Sequence, residues 1–149
     1  MYPRLWRFAF VLTRDRAKAD DLAQATVARA IENASRFAPG TALDRWLFVM
    51  ARRLWLNELR ATRVRTGAGL VSVHDLDLPA DSPDPVTNIL ASQVLNSMMA
   101  LPEAQRMTVM LVYVEGFTYR EAAEFLQIPI GTVMSRLSAA RATIRESAQ

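Results

Sequence analysis

Arginine, serine and aromatic side chains occur in two stretches of this sequence with the spacing of a nucleic-acid contact surface. In the first, GTVMSRLSAAR at residues 131–141, a helix would expose small residues between flanking arginines, namely Ser135, Ser138 and Ala139 between Arg136 and Arg141. Small side chains allow a helix to approach a groove floor, and arginines beside them contact phosphates or guanine edges. The pattern therefore predicts a groove-binding helix, with an ordinary solvated surface as the alternative.

The second stretch is a helix predicted for residues 42–63, on which arginines and apolar residues take opposite sides. At about 100° per residue, one arc of about 100° holds Arg45, Arg52, Arg53, Arg60 and Arg63. This line is about 27 Å long at about 1.5 Å per residue. The opposite side is a predicted core stripe of Leu43, Leu47, Met50, Ala51 and Leu54.

Trp46, Phe48 and Trp55 are predicted on the flanks between these two sides. Arginines follow phosphates, and neighbouring aromatic rings stack on unpaired bases, so the helix fits single-stranded nucleic acid. The alternative is that the rings belong to the core and the arginines pair with Asp44 and Glu58.

The first stretch belongs to a predicted helix-turn-helix. TYREAAEFL is expected to form a short helix capped by Thr118, with Glu121 at capping-box spacing. QIPIG is a predicted tight turn in which Pro129 prevents the helix from continuing, and Thr132 is expected to open the second helix. The apolar stripe of that helix is Val133, Leu137, Ala140 and Ile144. In this plan the second helix lies in the major groove, although helix pairs with short turns also occur outside DNA binding.

Other helices are predicted around these two. Leu5, Phe8, Ala9 and Leu12 mark a first helix, and residues 18–33 form a second with Asp20 and Asp21 in its first turn. Residues 37–41 form a turn, and a further helix covers residues 89–99. The next is expected to start with Pro102 as its first helical residue.

The sequence predicts an all-α fold of two small helical domains, residues 1–65 and 89–149, joined by a flexible acidic linker at residues 66–88. Residues 1–65 hold thirteen basic against six acidic residues, whereas residues 66–100 hold four acids and no base. A basic block of this kind favours a polyanionic partner.

Composition excludes several classes of function. The chain has no cysteine, no apolar run of about 20 residues and no glycine-rich phosphate loop. Its single histidine lies in the predicted linker as His74, with Asp75 and Asp77, without the spacing of a metal site. We expect a soluble cytoplasmic protein that is not an enzyme, needs no cofactor or metal and does not insert into membranes.

Together, these segments resemble a bacterial sigma factor of the extracytoplasmic-function class over nearly the whole chain. LWRFAFVLTRDRAKADDLAQATVARAIENASRF is similar to the opening helices of region two, and GTALDRWLFVMARRLWLNELRATR to its promoter-melting end. LPEAQRMTVMLVYVEGFTYREAAEFLQIPIGTVMSRLSAARATIR is similar to region four. The resemblance implies promoter-specific initiation with core RNA polymerase, through its β′ clamp helices and β flap, under an anti-sigma factor.

The resemblance also implies a role for particular residues. Polymerase binding is implied for Asp20, Asp21, Leu22, Gln24, Arg29 and Asn33. Recognition and opening of the −10 element, with capture of a flipped base, are implied for residues 37–44 and for Trp46, Arg52, Arg53, Asn57 and Arg60. Recognition of the −35 element is implied for Thr132, Ser135, Arg136, Ser138 and Arg141.

Three positions depart from the family pattern. The family usually has asparagine at Arg53, often a basic residue at Met134, and commonly arginine at Ala139. We expect these departures to bear on base preference at the −10 element and on the sequence or affinity at the −35 element. Two other functions remain open: a helix-turn-helix regulator that acts without polymerase, and a sigma-like decoy that binds a regulator.

Overall fold

The computed structural model describes residues 1–40, 42–66 and 93–147, which form helices and short turns and confirm the predicted all-α fold. The chain divides into two compact units, Met1–His74 and Asp75–Gln149. The predicted linker, from residue 67 onward, and its His74 lie outside the described residues. No helix in the described part of the chain is long and apolar enough to cross a membrane.

The first unit packs its helices around an apolar core. The elements are α1 (Tyr2–Thr13), α2 (Arg16–Glu32), a 3-10 turn (Ala34–Arg36) and α3 (Leu43–Thr66). Helix α1 packs against α2 and α3, and α2 also packs against α3. All four residues of the predicted α1 stripe are buried, namely Leu5, Phe8, Ala9 and Leu12. Burial of each large apolar side chain contributes about 1.5–3 kcal/mol, so this stripe holds the unit together.

Helix α2 begins at Arg16, two residues before the predicted start at Lys18, because Asp15 caps it. The Asp15 carboxylate accepts a hydrogen bond from the Lys18 N–H at 3.0 Å, and so satisfies a backbone donor that has no partner within the helix. The prediction that Asp20 and Asp21 lie in the first turn is therefore wrong, since both follow in the second turn.

The second unit packs a long helix against shorter ones. Its elements are the described part of α4 (residues 93–99), α5 (Glu103–Val109), a π-helical turn (Met110–Val114), α6 (Tyr119–Leu126) and α7 (Ile130–Ser147). Helix α7 packs against α5 and α6. Val133, Leu137 and Ala140 are 0% exposed, and Ile144 is half-buried, as the stripe predicts. Pro102 precedes α5 as its N-cap, so the prediction of Pro102 as first helical residue is wrong.

Candidate nucleic-acid interface

Helix α6 begins at the predicted capping box, which the structure confirms. Thr118 Oγ1 accepts a hydrogen bond from the Glu121 N–H at 3.1 Å, and Glu121 Oε1 accepts one from the Thr118 N–H at 3.0 Å. Gln127 ends the helix in the left-handed conformation at φ 56°. Because the next helix starts three residues later, the segment has helix-turn-helix connectivity.

Helix α7 begins at Ile130, before the predicted start at Thr132. The Pro129 carbonyl accepts a hydrogen bond from the Thr132 N–H at 3.0 Å, so the chain is already turning helically there. Proline before a helix removes a donor that would have no intrahelical partner. The threonine therefore lies inside the first turn and is half-buried.

Most of the predicted −35 residues of α7 lie on one exposed face, which has small side chains at its centre and arginines on its flanks. Ser135, Ser138 and Ala139 are exposed at its centre; of the flanking arginines, Arg141 is exposed and Arg136 half-buried. The Ser135 hydroxyl donates to the Gly131 carbonyl at 3.0 Å, which leaves its oxygen free to accept a hydrogen bond.

Arg141 is held by a tyrosine that the sequence patterns do not single out. Arg141 Nη1 donates to Tyr113 Oη at 2.8 Å. Hydrogen bonds to Tyr113 and then to Tyr119 raise the pKa of the exposed Arg141 guanidinium. Tyr113 lies 28 residues before Arg141, in the π-helical turn, where the regular helical period is lost.

Apart from the loop before Leu43, the residues predicted to contact the −10 element lie on α3, and their exposure increases along the helix. Trp46 and Arg52 are half-buried, whereas Arg53, Asn57 and Arg60 are exposed. The remaining arginines of the predicted line continue this trend, since Arg45 is half-buried and Arg63 exposed. Leu43, predicted in the core stripe, is 46% exposed, because it is the first residue of the helix.

Two of the three aromatic residues predicted on the flanks of α3 belong to the core instead. Phe48 is 0% exposed and stacks on Phe8 with ring centroids 4.4 Å apart, and Trp55 is 7% exposed. The alternative that the rings belong to the core therefore holds for these two, and Phe8 of α1 covers Phe48. Trp46 differs, since it lies 5.2 Å from the Phe37 ring at a 48° tilt and keeps an accessible surface.

The start of α3 is fastened to α1 by an ion pair. Arg4 Nη2 lies 2.9 Å from Asp44 Oδ2, and Asp44 Oδ1 accepts a hydrogen bond from the Arg45 N–H at 2.9 Å. Burial raises the pKa of Asp44. Hydrogen bonds from Arg4 and from the Arg45 backbone, together with the positive charges of these two arginines, lower the pKa by more, so the net shift is downward. The loop before this pair turns at Gly40, whose φ of +95° favours glycine.

An open apolar cavity of about 390 Å³ lies beside this loop. Phe37 and Trp46 form one part of its wall, and most of the other lining residues come from α1, α2 and the first turns of α3. Ile31, on the rim, is 72% exposed. The sequence patterns give no sign of this cavity, because its walls come from separate helices.

The residues predicted for polymerase binding divide between surface and core. Asp20, Asp21, Gln24 and Arg29 are exposed on α2, and Asn33 is half-buried at its C-terminal end. Leu22 is 7% exposed and lies in the core, apart from the exposed members.

Trp6 contacts this polar surface from α1. Trp6 Nε1 donates to Asp20 Oδ1 at 2.5 Å, and the indole stacks on Phe10 with ring centroids 5.2 Å apart. Asp20 is therefore positioned by a side chain that the predicted set does not include. Among the described residues, no group of three His, Cys, Asp or Glu could hold a metal ion.

The fold and these arginine-rich faces define a helical nucleic-acid-binding protein of two units, and family models agree. "Sigma-70 region 2" matches residues 1–65, and "Sigma-70, region 4" matches residues 91–144. The ECF RNA polymerase sigma factor EcfG of Rhodopseudomonas palustris is 31% identical over 147 residues, covering 95% of this chain and 77% of that protein. SigL of Mycobacterium tuberculosis is 33% identical over 148 residues, covering 97% and 82%.

A solved structure agrees with these sequence matches. The sigma factor RpoE from Bartonella quintana, crystallised with the anti-sigma factor NepR, has a TM-score of 0.78 and 29% identity, covering 97% of this chain and 89% of that one. This chain belongs to the ECF RNA polymerase sigma factor family. It functions as a sigma factor in transcription initiation.

Proposed function

We propose that the two units of this sigma factor act on separate promoter elements while both are bound to core RNA polymerase. Residues 1–65 dock on the polymerase and open the −10 element, residues 89–149 recognise the −35 element, and residues 66–88 connect them. The protein does no chemistry itself; it works with polymerase in the cytoplasm.

The exposed face of α7 is the observation that carries this proposal. Its core side is fully buried at Val133, Leu137 and Ala140, so the helix is rigidly supported. The opposite side offers Ser135 and Ser138 with arginines on the flanks. A supported helix with small central residues suits the major groove, where Arg136 contacts phosphates or guanine.

Trp46 and the exposed part of α3 support a role in opening the −10 element. Melted DNA is bound by basic side chains along its backbone and by aromatic rings on its bases. Arg53, Asn57 and Arg60 provide exposed polar groups along α3, and Trp46 has an accessible ring near the start of the helix. We assign base contact to Trp46 and contact with the DNA strand to the other three and Arg52.

Two protein partners are also proposed, namely core RNA polymerase and an anti-sigma factor. The exposed members of the α2 set, Asp20, Asp21, Gln24 and Arg29, with half-buried Asn33, form the proposed docking surface for the β′ clamp helices. Because the Bartonella relative was solved with the anti-sigma factor NepR, we also propose that an anti-sigma factor controls this chain.

Transcription by bacterial core polymerase from a pool with randomised −35 and −10 elements tests the assignment. Wild-type chain is expected to enrich one bipartite promoter. Arg136→Ala should weaken selection at the −35 half only, and Trp46→Ala should weaken opening at the −10 half only. Arg16→Ala, an exposed arginine outside both faces, is the matched control and should enrich the wild-type promoter.

Two outcomes would contradict the proposal. Tight core binding without promoter enrichment would make the chain a decoy for a regulator. Duplex binding by the chain alone, with no core binding, would make it a helix-turn-helix regulator.

A further inference from the structure

An arginine and two tyrosines form a polar cluster on the surface of the second unit. Arg141 of α7 donates from Nη1 to Tyr113 Oη at 2.8 Å, and Tyr119 is close enough to the guanidinium to contribute to its raised pKa. Tyr113 is 53% exposed and Tyr119 36%, and Arg141 is also exposed. The three polar ends are therefore open to a ligand.

The directions of these hydrogen bonds leave donors available. A phenol has one O–H donor and two acceptor positions, and a guanidinium has five N–H donors. Because Tyr113 accepts from Arg141, its own proton must point elsewhere, and accepting from a cation strengthens its donation. The cluster thus presents phenol O–H groups and unused guanidinium N–H groups, a donor set that suits phosphate oxygens.

The backbone geometry explains why Tyr113 reaches α7. The Glu115 N–H bonds to the Met110 carbonyl at 2.9 Å, five residues back, which makes the turn wide. Tyr113 and Val114 stay exposed at this turn while Met110 and Leu111 are buried. Turns of this π-helical kind are rare in proteins, and those that occur are often found at functional sites.

We propose that Tyr113 is a positioning residue for Arg141, and that these two residues and Tyr119 bind one phosphate of the DNA backbone beside the −35 element. This inference rests on the proposed function of α7. The cluster lies on a flank of the exposed serine face, and Arg145, one turn further along α7, is also exposed. DNA is favoured over free phosphate because a fully open site binds a lone anion weakly, whereas DNA docked on α7 presents its phosphates at high local concentration.

The test uses the whole two-unit chain in complex with core polymerase and the promoter enriched in the transcription experiment. Single phosphates around the −35 element are replaced by neutral methylphosphonates, and affinity is measured for wild type and Tyr113→Phe. We expect one phosphate whose replacement weakens wild-type binding, and about fivefold weaker binding of Tyr113→Phe to unmodified DNA, the size expected for one hydrogen bond. The methylphosphonate at that position should reduce the DNA affinity of Tyr113→Phe by a smaller factor than it reduces the affinity of the wild type.

Two comparisons separate positioning from a structural role. Tyr113→Phe should cost little affinity in an Arg141→Ala background, because the tyrosine acts through the arginine. Tyr2→Phe, in the first unit and 44% exposed, is the matched control and should bind like wild type. Inorganic phosphate at millimolar concentration should not reproduce the difference between wild type and Tyr113→Phe.

Several results would overturn the inference. An unchanged affinity of Tyr113→Phe for promoter DNA would overturn it. Tighter binding of this variant to DNA would show that Tyr113 withholds Arg141 from DNA. An equal loss in the Arg141→Ala background would remove the positioning role, and competition by inorganic phosphate would make the site one for free anions. If wild-type holoenzyme also fails to bind any promoter, the proposed function fails with it; normal wild-type binding confines the failure to the cluster.

Discussion

Phe48 and Trp46 lie two positions apart on α3, and their surroundings give them different tasks. Phe48 is fully buried against Phe8, with the Arg4 guanidinium 5.7 Å from the centre of its ring. Phe48→Ala should lower the free energy of unfolding of the first unit by about 3–5 kcal/mol, because the surrounding side chains fill the resulting cavity only in part. Urea denaturation followed by circular dichroism measures this loss.

Trp46→Ala is the comparison within the same helix turn. The Trp46 ring is half-buried, so Trp46→Ala should lower the free energy of unfolding by less than Phe48→Ala does. It should still impair promoter opening. Equal losses of stability in the two variants would show that Trp46 is chiefly a core residue.

Asp44 makes the stability of the first unit sensitive to acid. The pKa of Asp44 is lower in the folded state, so its stabilising effect is complete above the unfolded pKa and is lost as pH falls through the folded pKa. Asp44→Asn should cost about 0.5–1 kcal/mol at pH 7, typical of a partly exposed ion pair. The cost should become smaller at acidic pH, as the carboxylate of the wild-type protein is protonated.

Glu58→Gln is the matched control for Asp44→Asn, since Glu58 pairs with Arg65 at 3.4 Å with both side chains mostly exposed. It should leave stability nearly unchanged at both pH values. Urea titrations of the three proteins at pH 7 and pH 3 provide the comparison. A loss for Asp44→Asn that is equal at the two pH values would contradict the ion-pair assignment.

Among the helices, α6 depends on its cap. Thr118→Ala removes one half of the capping box and should destabilise the second unit by about 1 kcal/mol. Thr143→Ala offers a matched control, because Thr143 is exposed on α7 and its hydroxyl donates only to the Ala139 carbonyl of its own helix. Thermal unfolding should separate the two variants; equal midpoints would remove the cap as a source of stability.

Sequence patterns predicted the helices of this chain better than their ends and contacts. The stripes of α1 and α7 are visible because buried positions repeat at the helical period, and the Thr118 cap has a recognisable spacing. The starts of α2 and α7 were missed because Asp15 and Pro129 act outside the periodic part of the helix.

The candidate site could be predicted as far as it lies on single helices. The exposed face of α7 follows from its own periodicity, as does most of the arginine line on α3. The burial of Phe48 depends on where α1 packs, and the Tyr113–Arg141 pair depends on a π-helical turn. A helical wheel contains neither kind of information.

For the whole molecule, promoter binding should depend on how far apart the two elements lie on the DNA. Two weak DNA-binding units in one chain gain affinity only when both reach their elements together. Lengthening the DNA spacer between the enriched −35 and −10 elements by two base pairs moves them about 7 Å further apart and rotates one relative to the other. Transcription should fall by about tenfold or more. Quantitative run-off transcription measures it, and spacer-independent yield would show that one unit suffices.

The most direct test of the central claim is transcription by purified bacterial core polymerase, with and without this chain, from its enriched promoter. We predict transcripts with a single start site that require the chain and disappear when either promoter element is scrambled. Transcription that is the same without the chain, or that survives scrambling of both elements, would contradict its assignment as a promoter-specific sigma factor.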